Sequence, residues 1–243
     1  MTVASDASCV ALDGVTLLRG TTTVFDRLSL TLGERRIGLI GDNGAGKSSL
    51  FRLLCGLDAP QSGTVHVYGR DVRRERGALP ALVGLMFQNP DDQIIYPTVV
   101  EELAFGLTAR GTARREARER ARDFLGARGL SEWADRPVGS LSQGQRQRVC
   151  LLALLISAPR LLLLDEPYAS LDLPGQSLLA AELAAAAQQL VVSTHLLDHV
   201  RDFERVIWLD AGRVRADGHG PGVCAAYEAD VRGRLAERPP LPY

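Results

Sequence analysis

The run RIGLIGDNGAGKSSLFRLLCGL, Arg36 to Leu57, decides how the rest of the chain is read. Ile37 to Ile40 is short, apolar and β-branched, the pattern of a strand buried on both faces. Gly41 to Ser48 then matches GxxxxGK[ST] at every position, and Ser49 to Leu57 carries helical apolar spacing at Leu50, Leu53, Leu54 and Leu57. Strand, glycine-rich loop and helix in that order are the context that gives the motif its meaning. Glycines let successive backbone N–H groups turn inward onto phosphate oxygens, and the helix N-terminus adds positive potential. Gly41, Asp42, Asn43, Gly44, Ala45, Gly46, Lys47, Ser48 and Ser49 are therefore expected to cradle a nucleoside triphosphate, with Lys47 on the β- and γ-phosphates and Ser48 as a Mg²⁺ ligand. The alternative, a plain glycine turn, has to explain why the only lysine among 28 lysines and arginines stands here.

The bulk properties bound the rest. A chain of 243 residues can bury a large α/β core, and a net charge of -1 argues against a dedicated nucleic-acid binder. Cys9, Cys55, Cys150 and Cys224 are scattered without a CxxC pair, which suits a reduced, cytosolic protein. The most apolar stretch, Val149 to Leu164, is broken by Pro159 and Arg160, so no membrane span is expected. Six arginines between Arg110 and Arg122 are interspersed with glutamates, the pattern of a solvated helix face with i,i+4 pairs.

Two further strands end in chemistry. Leu161 to Leu164 leads into Asp165-Glu166-Pro167: Asp165 suits a metal-bound triphosphate, and Glu166 can polarise an attacking water. Leu190 to Ser193 leads into Thr194-His195, which places His195 at the strand end where open parallel sheets bind ligands. His66, His199 and His219 lack such a context and are read as surface or structural. Ser142, Gly144 and Gln145 in LSQGQRQRV open an apolar helix expected over Val149 to Ala158, a second anion-binding helix start. A second phosphate-binding helix start implies a second nucleotide, supplied by a subunit facing head to tail.

In this order the motifs resemble those of ABC-transporter ATPases from about Val10 to Gly218. Walker A lies at Gly41–Ser48, the signature at Leu141–Gln145, Walker B at Leu161–Asp165 with Glu166 as the catalytic carboxylate, the D-loop at Ser170–Asp172 and the switch histidine at His195. The resemblance implies that Gln88 is the Q-loop residue sensing Mg²⁺ and the attacking water. It also implies an α/β fold: a P-loop NTPase core with a mostly parallel sheet, an N-terminal antiparallel β subdomain and an inserted helical signature subdomain. The whole of 1–243 would be one ABC ATPase domain, with a core over about 10–218, the helical subdomain over about 98–158 and a short tail over 219–243, poorly ordered at its end.

FQNPDDQ followed by PTVVEELAFG is more specific and resembles the ATPases of energy-coupling-factor transporters, which import vitamins and transition-metal ions. The implied partners are a second ATPase subunit, identical or paralogous, a transmembrane coupling subunit docking near Asp91 to Glu102, and a substrate-capture membrane protein. The implied cofactors are ATP and Mg²⁺, the implied place the cytoplasmic face of the cell membrane, and the implied cargo biotin ahead of cobalt or nickel. Nucleic acid is not an expected partner. A soluble ABC ATPase of DNA repair or ribosomes is the alternative, and it would carry zinc insertions, coiled-coil arms or tandem domains that the sequence lacks. Two departures from the family pattern stand out. Gln143 replaces a glycine in the signature, where it could crowd the partner's phosphate. The early aromatic that stacks on adenine is missing, leaving Arg19 or a shifted Phe25 to take its place.

Overall fold

A computed structural model describes residues 9–236. Two sheets share the chain. The first is antiparallel, ordered β2-β1-β4-β5, and is built from β1 (Val10–Arg19), β2 (Thr22–Leu32), β4 (Ser62–Val67) and β5 (Arg70–Asp71). The second has the order β10-β9-β3-β8-β7-β6, with β3 (Arg36–Ile40), β6 (Val83–Met86), β7 (Leu161–Asp165), β8 (Gln189–Ser193), β9 (Arg205–Asp210) and β10 (Arg213–Gly218). Its first five strands from β6 to β9 run parallel, and β10 folds back antiparallel on β9. The expected mixed α/β architecture is thus observed.

The continuous apolar runs are continuous because both faces of the parallel sheet are covered. Leu161 to Leu164 are fully buried: Leu161 and Leu163 face the antiparallel sheet, while Leu162 and Leu164 face the helices behind. Each such leucine contributes about 2 kcal/mol of burial. On the first face α1 (Lys47–Leu54) packs Leu50, Phe51, Leu53 and Leu54 against β1 and β4. On the second lie α5 (Leu173–Ala185) and α6 (Gly220–Ala236). A third apolar cluster joins α2 (Val99–Thr108), α3 (Arg114–Gly126) and α4 (Gln143–Ser157) around Leu103, Leu125, Trp133 and Val149.

The element bounds differ from the sequence reading in places with physical causes. α1 stops at Leu54 rather than Leu57, because Gly56 adopts φ +69 and a Cβ there would meet Leu79 at 2.7 Å. The helix expected over Glu101 to Leu130 is two helices, α2 and α3, broken where Gly111 takes φ +91. α4 starts six residues before Val149, since Ser142 and Gln145 form a reciprocal capping box. The hairpin around Ala211-Gly212 forms as expected, both residues at positive φ, the turn that matches strand twist. The expected disorder at the chain's end concerns 237–243, outside the described residues; Gly220 to Ala236, which the sequence reading left without an element, is the helix α6. Among the described residues no helix is long and apolar enough to cross a membrane.

Candidate functional site

Parallel strands deliver their C-terminal ends to one edge, and the candidate residues gather there. β3 ends at Ile40 and runs into the glycine-rich loop. Gly41 has to be glycine: at φ +141 a Cβ would stand 2.0 Å from the Leu209 carbonyl oxygen. Gly46, at φ +109, precedes α1, and a Cβ there would press on the Phe25 ring at 2.8 Å. The Gly212 N–H donates to the Ala45 carbonyl at 3.0 Å, so the β9–β10 turn buttresses the loop from behind.

Lys47 is buried and donates from Nζ to the carbonyls of Gly41 (2.7 Å) and Asp42 (3.1 Å). Burial pulls its ammonium below the usual lysine range, while Glu166, Asp165 and Asp42 work to keep it charged. An ammonium held on two carbonyls is a parked donor that phosphate oxygens can recruit.

β7 ends at Asp165, and Glu166 follows in the left-handed region at φ +48, a conformation that costs a non-glycine residue energy and marks a constrained site. The Glu166 N–H donates to the Ser193 carbonyl (2.9 Å), and its Oε2 accepts from the His195 N–H (3.1 Å), which locks the carboxylate to the end of β8. Its buried Oε1 has no hydrogen-bond partner among the described residues and faces His195 Nε2 at 3.2 Å. The same ring nitrogen lies 3.0 Å from Asn43 Oδ1, so His195 links the carboxylate to the phosphate loop. Burial pushes the Glu166 carboxyl above the ordinary range, opposed by His195, its backbone N–H and Lys47.

These groups line one open cleft of about 470 Å³: Asn43, Gly44, Gly46, Lys47, Ser48 and Ser49 from the loop and α1, with Gln88, Asp165, Glu166 and His195 opposite. Ser48, Asp165 and Gln88 offer a hydroxyl, a carboxylate and an amide oxygen. Among the described residues no group of three or more His, Cys, Asp or Glu forms a closed metal cage. Hard oxygen donors too few to enclose an ion fit Mg²⁺, which completes its shell with water and substrate phosphates.

Phe25 does not shift in to stack on a base: it is fully buried behind Gly46. Arg19 does line the cleft, its guanidinium held by Asp58 at 3.0 Å. His199 is structural, stacked on Tyr168 with ring centroids 3.8 Å apart and 3.1 Å from Gln176 Oε1.

The signature residues are elsewhere. Ser142, Gly144 and Gln145 line a separate cleft of about 280 Å³ with Trp133, Leu171 and Asp172. Gln143 does not extend freely from the helix start: its amide donates to Ser170 Oγ (3.1 Å), within its own chain.

The island after Gln88 is braced from below. Asn89 caps a single 3₁₀ turn, Pro90–Asp92; Asp91 pairs with Arg146 of α4 (3.4 Å), and Gln93 donates to the Cys150 carbonyl (3.3 Å). Glu102, expected on the docking edge, is buried instead and accepts from the N–H groups of Ile95 (2.9 Å) and Tyr96 (2.8 Å). It shapes the edge rather than presenting itself. Ile95 stays 70% exposed beside an apolar groove of about 270 Å³ that also includes Leu85, Phe105 and Leu154. The sequence reading missed Tyr227 and Arg234, which reach the phosphate loop from α6 and carry no motif that could have revealed them.

The family model described as "ABC transporter" matches residues 25–169. The chain is 48% identical over 218 residues to the biotin transport ATP-binding protein BioM of Rhodobacter capsulatus, covering 90% of this chain and 93% of that one. It is 39% identical over 170 residues to the energy-coupling factor transporter ATP-binding protein EcfA of Methanosphaera stadtmanae, covering 68% of this chain and 61% of that protein. A solved ATP-binding cassette, a dimer in a post-hydrolysis state bound to ADP and Pi, superposes with a TM-score of 0.74 at 26% identity, over 86% of this chain and 98% of its own.

Proposed function

The chain belongs to the ABC transporter family, and from that premise we propose that it is the ATP-hydrolysing subunit of an energy-coupling-factor-type importer, with biotin as the favoured cargo. The observation that carries the mechanism is the separation of the two anion sites: the signature residues line a different cleft from the phosphate loop. One subunit therefore holds two halves of two different sites. Two subunits facing head to tail complete both, with a nucleotide between the loop of one and the Ser142 helix start of the other.

Within each site the roles follow from position. The loop N–H groups and Lys47 take the phosphates; Ser48, Asp165 and Gln88 would hold Mg²⁺, which would offset charge developing on the transferred phosphoryl group. Glu166 Oε1, buried and lacking a donor, is the atom that accepts a proton from the attacking water. His195, bound through its main chain to Glu166 and beside Asn43 through its ring, aligns the two halves of the active site. The apolar groove at Ile95 and Phe105 receives a helix of a transmembrane coupling subunit, which would hold the protein at the cytoplasmic face of the membrane. The capture of cargo falls to a separate membrane protein.

The test is a tagged pull-down from detergent-solubilised native membranes, using the Glu166→Gln chain with ATP and Mg²⁺. Recovery of a polytopic coupling subunit with a biotin-binding membrane protein supports the proposal. Recovery of soluble partners alone, where other membrane complexes survive, overturns it.

A further inference from the structure

The second residue of the phosphate loop is a carboxylate, in a loop whose task is to gather anions. Asp42 Oδ1 accepts from the Tyr227 hydroxyl at 2.7 Å, and Arg234 straddles the carboxylate with contacts of 2.5 Å to Oδ2 and 3.3 Å to Oδ1. Both donors come from α6, Tyr227 near its middle and Arg234 in its last turn, 185 and 192 residues further along the chain. The donors are themselves fixed. Tyr227 packs edge-on against Trp208, with ring centroids 5.2 Å apart. Asp230 pairs with Arg234 at 2.8 Å and with Arg215 at 2.6 Å. At the other end of α6, Val223 and Cys224 are buried in the core, so the helix is anchored before it reaches the loop.

The consequence is positional as well as electrostatic. Asp42 is absent from the lining of the phosphate cleft, although its neighbour Asn43 is part of it. Its main-chain carbonyl is one of the two that hold the Lys47 ammonium. Freed from α6, the Asp42 carboxylate would be an uncompensated negative charge at the mouth of a triphosphate site, able to compete for Lys47.

We propose that α6 is a brace of the phosphate loop: Arg234 and Tyr227 are positioning residues, Arg234 offsetting the charge of Asp42 and both turning it away from the cleft, and so set nucleotide affinity. The assignment rests on Gly41–Ser48 being the nucleotide loop. It makes the C-terminal helix a handle through which anything that moves α6 alters nucleotide binding.

The experiment is a fluorescence titration of the full-length chain with the N-methylanthraniloyl derivative of ATP and Mg²⁺, at low and high salt, alongside ATPase rates at saturating ATP. Arg234→Ala is expected to weaken binding roughly three- to tenfold at low salt, the size of one added charge acting on a triphosphate across about 10 Å of mostly aqueous surroundings. The loss shrinks at high salt. The saturated rate stays within about twofold of wild type, an approximate bound set by the same electrostatic scale. Arg234→Lys, which keeps the charge, and the double variant Asp42→Asn/Arg234→Ala, which removes the repelling carboxylate, both return affinity toward wild type. Unchanged binding in Arg234→Ala, or a double variant as weak as the single one, overturns the proposal. A wild-type chain that does not bind the probe overturns the loop assignment and the brace together.

Discussion

At Glu166 three unfavourable features meet in one residue: a left-handed backbone, burial, and a carboxylate oxygen with no hydrogen-bond partner among the described residues. Natural folds retain such features where they serve chemistry, because each alone costs on the order of 1–3 kcal/mol. Burial raises the Glu166 carboxyl toward neutrality, and a proton acceptor must be ionised to work. The sign follows: activity is lost as pH falls through the raised value, so the acid limb of the ATPase profile should lie above the ordinary carboxylate range. Glu166→Gln should lower the saturated rate by roughly 10²–10³-fold, the usual scale for a general base, and abolish that limb. A variant with near wild-type turnover and an unaltered acid limb would remove Glu166 from the role. The placement of this residue at a strand end was legible in the sequence, since the apolar run Leu161 to Leu164 leads straight into it. Its backbone strain and its bond to the His195 N–H were not, because they arise from β7 and β8 lying side by side, a contact between residues 29 apart.

Elements explain the docking edge better than residue types do. The resemblance implies one docking edge near Asp91 to Glu102, yet the two adjacent glutamates in it do opposite things. Glu101 accepts from the Thr98 hydroxyl at 2.7 Å and pairs with Arg118 of α3, while Glu102 turns inward to hold two main-chain N–H groups of the loop ahead of α2. Neighbours on a helix point about 100° apart, so one faces solvent where the next faces the loop. Glu102→Ala would leave the Ile95 and Tyr96 amides without their acceptor. Hydrogen exchange at those two amides should accelerate by roughly tenfold or more, given about 1.5–3 kcal/mol for a bond to a charged acceptor. Exchange rates that stay at wild-type values would show that the edge is held by other contacts. The periodic elements, from the buried leucines of β7 to the phosphate-loop helix, were readable because one local pattern dictates each. The split of α2 from α3 depends on a single positive-φ glycine, Gly111, and the reach of α6 to Asp42 depends on tertiary placement alone.

For the whole molecule, the arrangement of clefts matters more than any one of them. The parallel sheet brings Lys47, Asp165, Glu166 and His195 together from three segments, while α4 carries its capped N-terminus into a different cleft beside Leu171 and Asp172. Gln143, the departure in the signature, is tied to Ser170 of the same chain, and the N–H groups of Ser142 and Gln145 are engaged in the capping box at this helix start. The glycine-rich loop and the two carboxylates thus share one cleft, and the helix start lines another. The family was legible from the order of the motifs, and the resemblance ranked biotin ahead of cobalt or nickel as the cargo.

The central claim is that the active site is shared between two subunits, and light scattering of the purified full-length chain after size-exclusion chromatography tests it most directly. With ATP and Mg²⁺ the Glu166→Gln chain should run as a dimer, and adding Ser142→Arg to it should return it to a monomer, because a bulky side chain would then stand over the helix start that meets the partner's phosphate. A Glu166→Gln chain that stays monomeric with ATP, or a dimer indifferent to the change at Ser142, would contradict the account.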